Sequence, residues 1–279
     1  MSELPDVETA FRKALDSHGY GFQYAVLDRA KELRSTSKSS WVFEAAEFPV
    51  SVEAGSTRID FILRQPDRRS YLIGECKRAN PALSNWCFAV APLVARNSIG
   101  NAYTVERVRP FHGEVRAEST AMTYADRAYH VALEIRTHQR GDSAGPGRGA
   151  IDDGVSQVLK GTNGFVNFLS SRPALVPENT DSMLLPVVFT TARLWASDAA
   201  LDRADLSTGK IDFSGSSLIP VPWLVYQHFQ SPELSHQVSG NRVDDRVSRV
   251  LEVDLMRSVA IVSSDGIEDY LRWSSQFAG

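Results

Sequence analysis

The stretches TRIDFIL, residues 57–63, and YLIGECK, residues 71–77, decide the reading of this chain. Each is rich in β-branched and aromatic residues and is bounded by Gly, Pro or Ser, the pattern of a short strand. They are joined through Gln65-Pro66-Asp67-Arg68-Arg69. A third run of the same kind, WVFEAAEFPV at 41–50, precedes them through Glu53-Ala54-Gly55-Ser56. Connections this short favour an antiparallel meander. Upstream, residues 6–34 read as helix. Phe22, Val26, Ala30 and Leu33 recur at helical spacing, and Gly19 and Gly21 divide the segment into two shorter helices.

Beyond the meander, Asn80-Pro81 ends the third strand. Leu83, Trp86, Cys87, Val90 and Val94 then predict a helix over 83–94, kinked or ended by Pro92. Residues 100–138 are strand-rich, with YHVALEI at 129–135 the clearest case, and 139–149 form a Gly-rich loop. Ile151, Val155, Val158, Leu159, Val166 and Leu169 predict a helix over 151–170, with glycines at 154, 161 and 164 inside it. Strands follow at 185–194, 223–228 and 258–263, and a last helix at 266–275. A leading meander followed by mixed elements predicts an α/β fold with a mixed central β-sheet flanked by helices. The whole chain, 1–279, reads as one domain with an insertion at 80–149.

Hydrophobic residues make up 43% of the chain and charged residues 23%, so it has enough apolar surface to bury a full core. The two cysteines, Cys76 and Cys87, lack metal-ligand spacing and read as free thiols of a reducing compartment. No segment approaches the roughly 18 apolar residues that span a bilayer, and the first residues lack a signal-peptide pattern. The expectation is a cytoplasmic protein without a membrane partner. A net charge of -4 speaks against a broad basic surface for duplex DNA, but not against a local site built on carboxylates.

The chemistry concentrates in the two opening stretches. Fourteen residues separate Asp60 from Glu75, and Lys77 stands two beyond. Alternation along a strand puts Glu75 and Lys77 on one face and Cys76 on the other. Such charges at the end of an apolar strand are seldom buried unless paired or metal-bound. With Asp60 on the neighbouring strand, the three groups can converge. Two carboxylates can hold a hard cation such as Mg²⁺, which prefers oxygen donors and keeps several waters. The Cys76 backbone carbonyl is a further donor. A lysine beside them can orient or deprotonate the attacking water and favour an anionic transition state. The alternative is a surface ion pair between Glu75 and Lys77 at a strand end.

Arg58-Ile59-Asp60 and Glu75-Cys76-Lys77 resemble the signature of the PD-(D/E)XK nuclease superfamily, with Ile59 where the family name has proline. The resemblance implies a restriction-endonuclease-like core, with Asp60 and Glu75 as metal ligands and Lys77 as catalytic lysine. It implies Mg²⁺ as cofactor, with Mn²⁺ able to substitute. Members often carry a further acid on the first helix or strand; Glu32, Glu44 and Glu47 are the choices, Glu47 preferred. Some place a glutamine on the helix after the third strand. Gln157 fits that role, unless the helix expected at 83–94 takes the position. The implied activity is DNA endonuclease chemistry in restriction, phage defence or repair, possible as a homodimer or with a partner subunit. The alternative is a catalytically silent relative that binds nucleic acid or another protein.

Other signals are weaker. Arg64, Arg68, Arg69, Lys77 and Arg78 read as one basic group near the site, and Arg107, Arg109, His112 and Arg116 as another in the insertion. Either could meet phosphates, although a solvated face is the commoner role. Trp86 and Trp223 are better core residues than base-stacking platforms. No HExxH or phosphate loop is present.

Overall fold

The computed structural model describes residues 6–17, 19–52, 55–91, 102–112, 114–124, 127–135, 149–176, 180–199, 201–229 and 256–276. Two helices open the chain, α1 (Val7–Ser17) and α2 (Tyr20–Ser35), separated by Gly19 in a left-handed conformation at φ 75°. The meander follows as β1 (Val42–Val52), β2 (Gly55–Arg64) and β3 (Ser70–Lys77), all antiparallel. These are the strands expected from residue pattern, with ends that differ by no more than two residues.

The next segment departs from expectation. Residues 83–94 are not a helix. Pro81–Leu83 form a single 3₁₀ turn, and Asn85–Ala89 form strand β4. Trp86 and Phe88 are fully buried while Cys87 and Ala89 are half-buried, so a period of two governs this segment. Residues 92–94 and most of the Gly-rich loop at 139–149 lie outside the described residues. The hairpin β5 (Ala102–Phe111) and β6 (Glu114–Tyr124) comes next, then β7 (Ala128–Tyr129) and β8 (Val131–Ile135). The long helix α3 spans Gly149–Ser170. Strands β9 (Ser182–Thr190), β10 (Arg193–Ser197), β11 (Leu218–Val221), β12 (Trp223–Phe229) and β13 (Met256–Ser263) lead to helix α4 (Ile267–Ser275).

Among the described residues nine strands form one large mixed sheet, with the path β1-β2-β3-β9-β13-β12-β7 and the β5–β6 hairpin joined to β9. The pairs β3–β9, β9–β13 and β12–β7 are parallel, and the meander and β12–β13 are antiparallel. A second sheet of four strands has the order β11-β10-β4-β8. The stretch read as an insertion thus supplies strands to both sheets.

Helices cover both faces of the large sheet. On one face Val26, Ala30 and Leu33 of α2 and Tyr270 and Leu271 of α4 pack on Phe61, Leu63, Leu72 and Phe189. On the other, Ile151, Val155, Val158 and Leu159 of α3 share a core with Ile59, Ile73 and Val188, and with Trp86, Phe88 and Leu194 of the small sheet. The fold is therefore α/β, with a large mixed sheet between helices. The glycines inside α3 let the helix sit close on the strands. A Cβ at Gly161 would lie 2.9 Å from Ile59, and one at Gly164 would lie 2.6 Å from Val50. Close contact with the sheet outweighs the propensity cost of those glycines. Among the described residues no helix is long and apolar enough to cross a membrane.

Candidate active site

Asp60, Glu75 and Lys77 come together where β2 and β3 part. The β2–β3 ladder ends at Phe61↔Gly74. Beyond it, the Cys76 amide donates to Asp60 Oδ2 at 2.7 Å, so a side chain takes over where backbone pairing stops. On its other side β3 stays paired to β9, with Glu75↔Val188 and Lys77↔Thr190 in register. Glu75 and Lys77 are thereby fixed on a rigid parallel strand. Lys77 Nζ stands 2.9 Å from Glu75 Oε1.

Helix α3 covers the lysine. Lys77 Nζ also donates to Gln157 Oε1. Three residues earlier, Gly154 leaves the space the lysine stem occupies, since a Cβ there would lie 3.0 Å from Lys77 Cγ. With strand β4 in place of the expected 83–94 helix, no rival helix is formed over the described residues 81–89, and Gln157 stands at the site.

Glu47 is the third acid of this neighbourhood. The register Ala46↔Phe61 and Phe48↔Ile59 brackets Glu47 and Asp60 on adjacent strands. Glu47 has φ 50°, in the left-handed region that few residues other than glycine adopt. Its Oε1 accepts from Gln23 Nε2 at 3.2 Å, and Arg58 stands 3.9 Å from its Oε2 at the solvent side. The other acids weighed with it lie apart: Glu32 pairs with Arg29, and Glu44 with Arg64.

The electrostatics follow from burial and crowding of like charge. Glu75 is 5% exposed. Burial first, then the charge of Asp60, pushes its carboxyl up to about 7, against the pull of Lys77. The Asp60 carboxyl is also raised, first by burial and then by Glu47, although the Cys76 amide holds it down. Burial raises the Cys76 thiol well above its ordinary range, and its side chain packs on the α2 side of the sheet. With the sulfur packed in that core, the backbone carbonyl is the group residue 76 can offer a cation.

Two of the expected basic groups do not join this site. Arg64, Arg68 and Arg69 lie at the other end of the β2–β3 hairpin; Arg64 is four residues from Asp60, about 13 Å at strand rise. There Arg64 pairs with Glu44 and Arg69 with Asp67. In the hairpin β5–β6, Arg107 and Arg109 pair with Glu118, and Arg107 also with Asp181. Trp86 is a buried core residue, and Trp223 packs on Tyr270 and Trp273.

Sequence reading missed two contributors, Gln23 and Gly154. A signal for Gln23 existed: it falls at i, i+3, i+7 and i+10 with Val26, Ala30 and Leu33, the buried residues of α2. The expected periodic residue, Phe22, is only half-buried.

The described residues hold no group of three or more His, Cys, Asp or Glu side chains placed to share one ion. The donor set of Asp60, Glu75 and the Cys76 carbonyl still fits a hard cation, because Mg²⁺ commonly takes one or two carboxylates and keeps its waters. Two desolvated acids that repel each other beside a single lysine are also the electrostatic setting that a divalent cation relieves. No family model, curated protein or solved structure matches the chain.

Proposed function

We propose that the chain is a Mg²⁺-dependent nuclease with a restriction-endonuclease-like core, acting on DNA in restriction, phage defence or repair. The observation that carries the reading is the convergence of Asp60, Glu75 and Lys77 at the parting of β2 and β3, with surplus negative charge in a buried setting. Asp60, Glu75 and the Cys76 carbonyl would hold the cation. A bound divalent ion supplies charge neutralisation on the phosphoryl oxygens and a water of lowered pKa.

The chain's own residues do the remaining work. Glu75 on its rigid strand keeps Lys77 within 2.9 Å, and Gln157 gives the ammonium a second acceptor from above. Lys77 is thus oriented to bind the attacking water and to meet the charge that grows on the phosphate. The Asp60 carboxylate is aimed by the Cys76 amide on Oδ2, which leaves Oδ1 for a cation.

The test is incubation of purified protein with plasmid DNA, linear DNA and RNA, in Mg²⁺, Mn²⁺ or EDTA, beside Asp60→Ala. Cleavage that needs the cation and Asp60 supports the reading. Nucleic-acid binding without cleavage, unchanged in the variant, would instead support a silent nuclease-like protein. Supercoiled plasmid that is never nicked while linear ends shorten would replace the endonuclease by an exonuclease.

A further inference from the structure

Gln23 is a buried polar residue on the apolar inward face of α2, 3% exposed. Its amide nitrogen donates to two acceptors, the Asp60 carbonyl at 2.7 Å and Glu47 Oε1 at 3.2 Å. Both hydrogens of the side-chain amide are thereby used, and one group ties helix α2 to both strands that carry the outer acids. Glu47, in turn, holds a left-handed backbone conformation in the middle of a strand. Such a conformation persists only where its surroundings fix it, and it clusters at functional sites. Glu47 lies near enough for its charge to act on Asp60 and Glu75. Yet no three acids among the described residues are placed to share one ion directly. With Oε1 held by Gln23 and Arg58 no nearer than 3.9 Å to Oε2, the carboxylate can still accept hydrogen bonds from water around a cation held by the other two. Its side chain is 36% exposed, so water reaches it.

We propose that Gln23 is a positioning residue of the cation site: it fixes Glu47 at the rim, where the carboxylate binds the hydration shell of a divalent ion held by Asp60 and Glu75. This rests on the cation-dependent reading above. Outer partners of this kind change metal affinity by about tenfold or more. Neither residue needs to touch the ion, and the two act along one path.

The experiment is Mn²⁺ titration by calorimetry of the whole chain. Wild type is compared with Gln23→Met, Glu47→Gln, the double variant and Asp60→Asn. Gln23→Met keeps the side-chain length but removes both donors; Glu47→Gln is neutral and half-exposed. Each single variant is expected to weaken Mn²⁺ binding about tenfold, and the double variant no further than either, because coupled residues are non-additive. Asp60→Asn should abolish binding. A merely structural Gln23 would lower the melting temperature and leave the Mn²⁺ Kd where it was, which overturns the proposal. So do two independent losses that multiply in the double variant. Should Gln23→Met not fold, Gln23→Asn, which keeps the amide but withdraws it from Glu47, takes its place in the same comparison. Binding lost in Asp60→Asn but intact in the Gln23 and Glu47 variants removes this inference and leaves the nuclease reading standing. A wild-type chain that binds no Mn²⁺ removes both.

Discussion

Two buried ionic groups of the large sheet, among the described residues, differ in balance. On one side Glu106 of β5 meets Arg257 of β13 at 2.6 Å, with side chains 3% and 6% exposed, and Ser119 donates to the same carboxylate oxygen. One charge answers one charge. Elsewhere, Asp60 and Glu75 share a single lysine among the described residues, while Arg58 stands 3.9 Å from the neighbouring Glu47. The first group sets one described carboxylate against one described guanidinium. The second carries negative charge that the protein leaves uncompensated, and it does so where two strands part and a helix leaves room through Gly154. Burial alone therefore does not mark a site; burial with an unbalanced charge does.

Substitutions should separate the two groups by sign. The largest stability loss is expected at the balanced pair. Arg257→Met strands a buried carboxylate and should cost about 3–5 kcal/mol in chemical denaturation, with Mn²⁺ binding unchanged. Equal stability of the variant would make the pair dispensable and weaken the contrast.

At the unbalanced group the sign reverses. Glu75 is raised from 4.5 to about 7 in the folded chain. A raised carboxyl holds its proton more tightly when folded, so its contribution is intact below about pH 4.5 and is lost as pH climbs to about 7. Without divalent cation, stability should fall over that window by about 3 kcal/mol on account of Glu75. Glu75→Gln removes the ionisation and should be the more stable protein at pH 8, while losing cation binding. Denaturation at several pH values in EDTA reads this directly. A flat profile, or a less stable Gln variant at pH 8, would mean the group is not strained by its charge.

These residues also mark what the sequence made legible. Glu75-x-Lys77 at the end of an apolar strand, and Asp60 on the strand before it, could be read because spacing along a strand fixes which side chains share a face. The α/β class followed from the same strands. Strand β4 was not legible: Leu83, Trp86, Cys87 and Val90 fit a helical spacing, yet over five residues the period of two in Trp86 and Phe88 is equally present. Only the partner strands β8 and β10 decide between them. Gln23 and Gly154 stayed hidden for a different reason. A lone glutamine and a mid-helix glycine gain meaning only from what packs on them. The grouping of Arg64, Arg68 and Arg69 with the site failed because nearness in sequence is distance along a strand.

A smaller effect sharpens the contrast from above the lysine. Gly154→Ala places a Cβ 3.0 Å from Lys77 Cγ and 3.3 Å from Cε. The helix itself should gain up to about 1 kcal/mol from alanine. Cleavage should nonetheless fall, approaching about 10²-fold if the lysine moves by about 1 Å. A stable variant of undiminished activity would show that the lysine does not need its present place. The smallest effect belongs to the exposed pairs at the far end of the hairpin. Glu44→Ala frees Arg64 from its 2.5 Å pair, should change stability by less than about 1 kcal/mol, and should leave cleavage untouched.

The most direct measurement is the initial rate of plasmid nicking in Mg²⁺ for wild type and Lys77→Ala, each repeated in EDTA. Nicking by the wild type that stops in EDTA and drops about 10²–10³-fold in the variant is the predicted result. A wild-type rate that EDTA does not touch, or equal rates in the two proteins, would contradict the assignment of Asp60, Glu75 and Lys77 to one cation-dependent site.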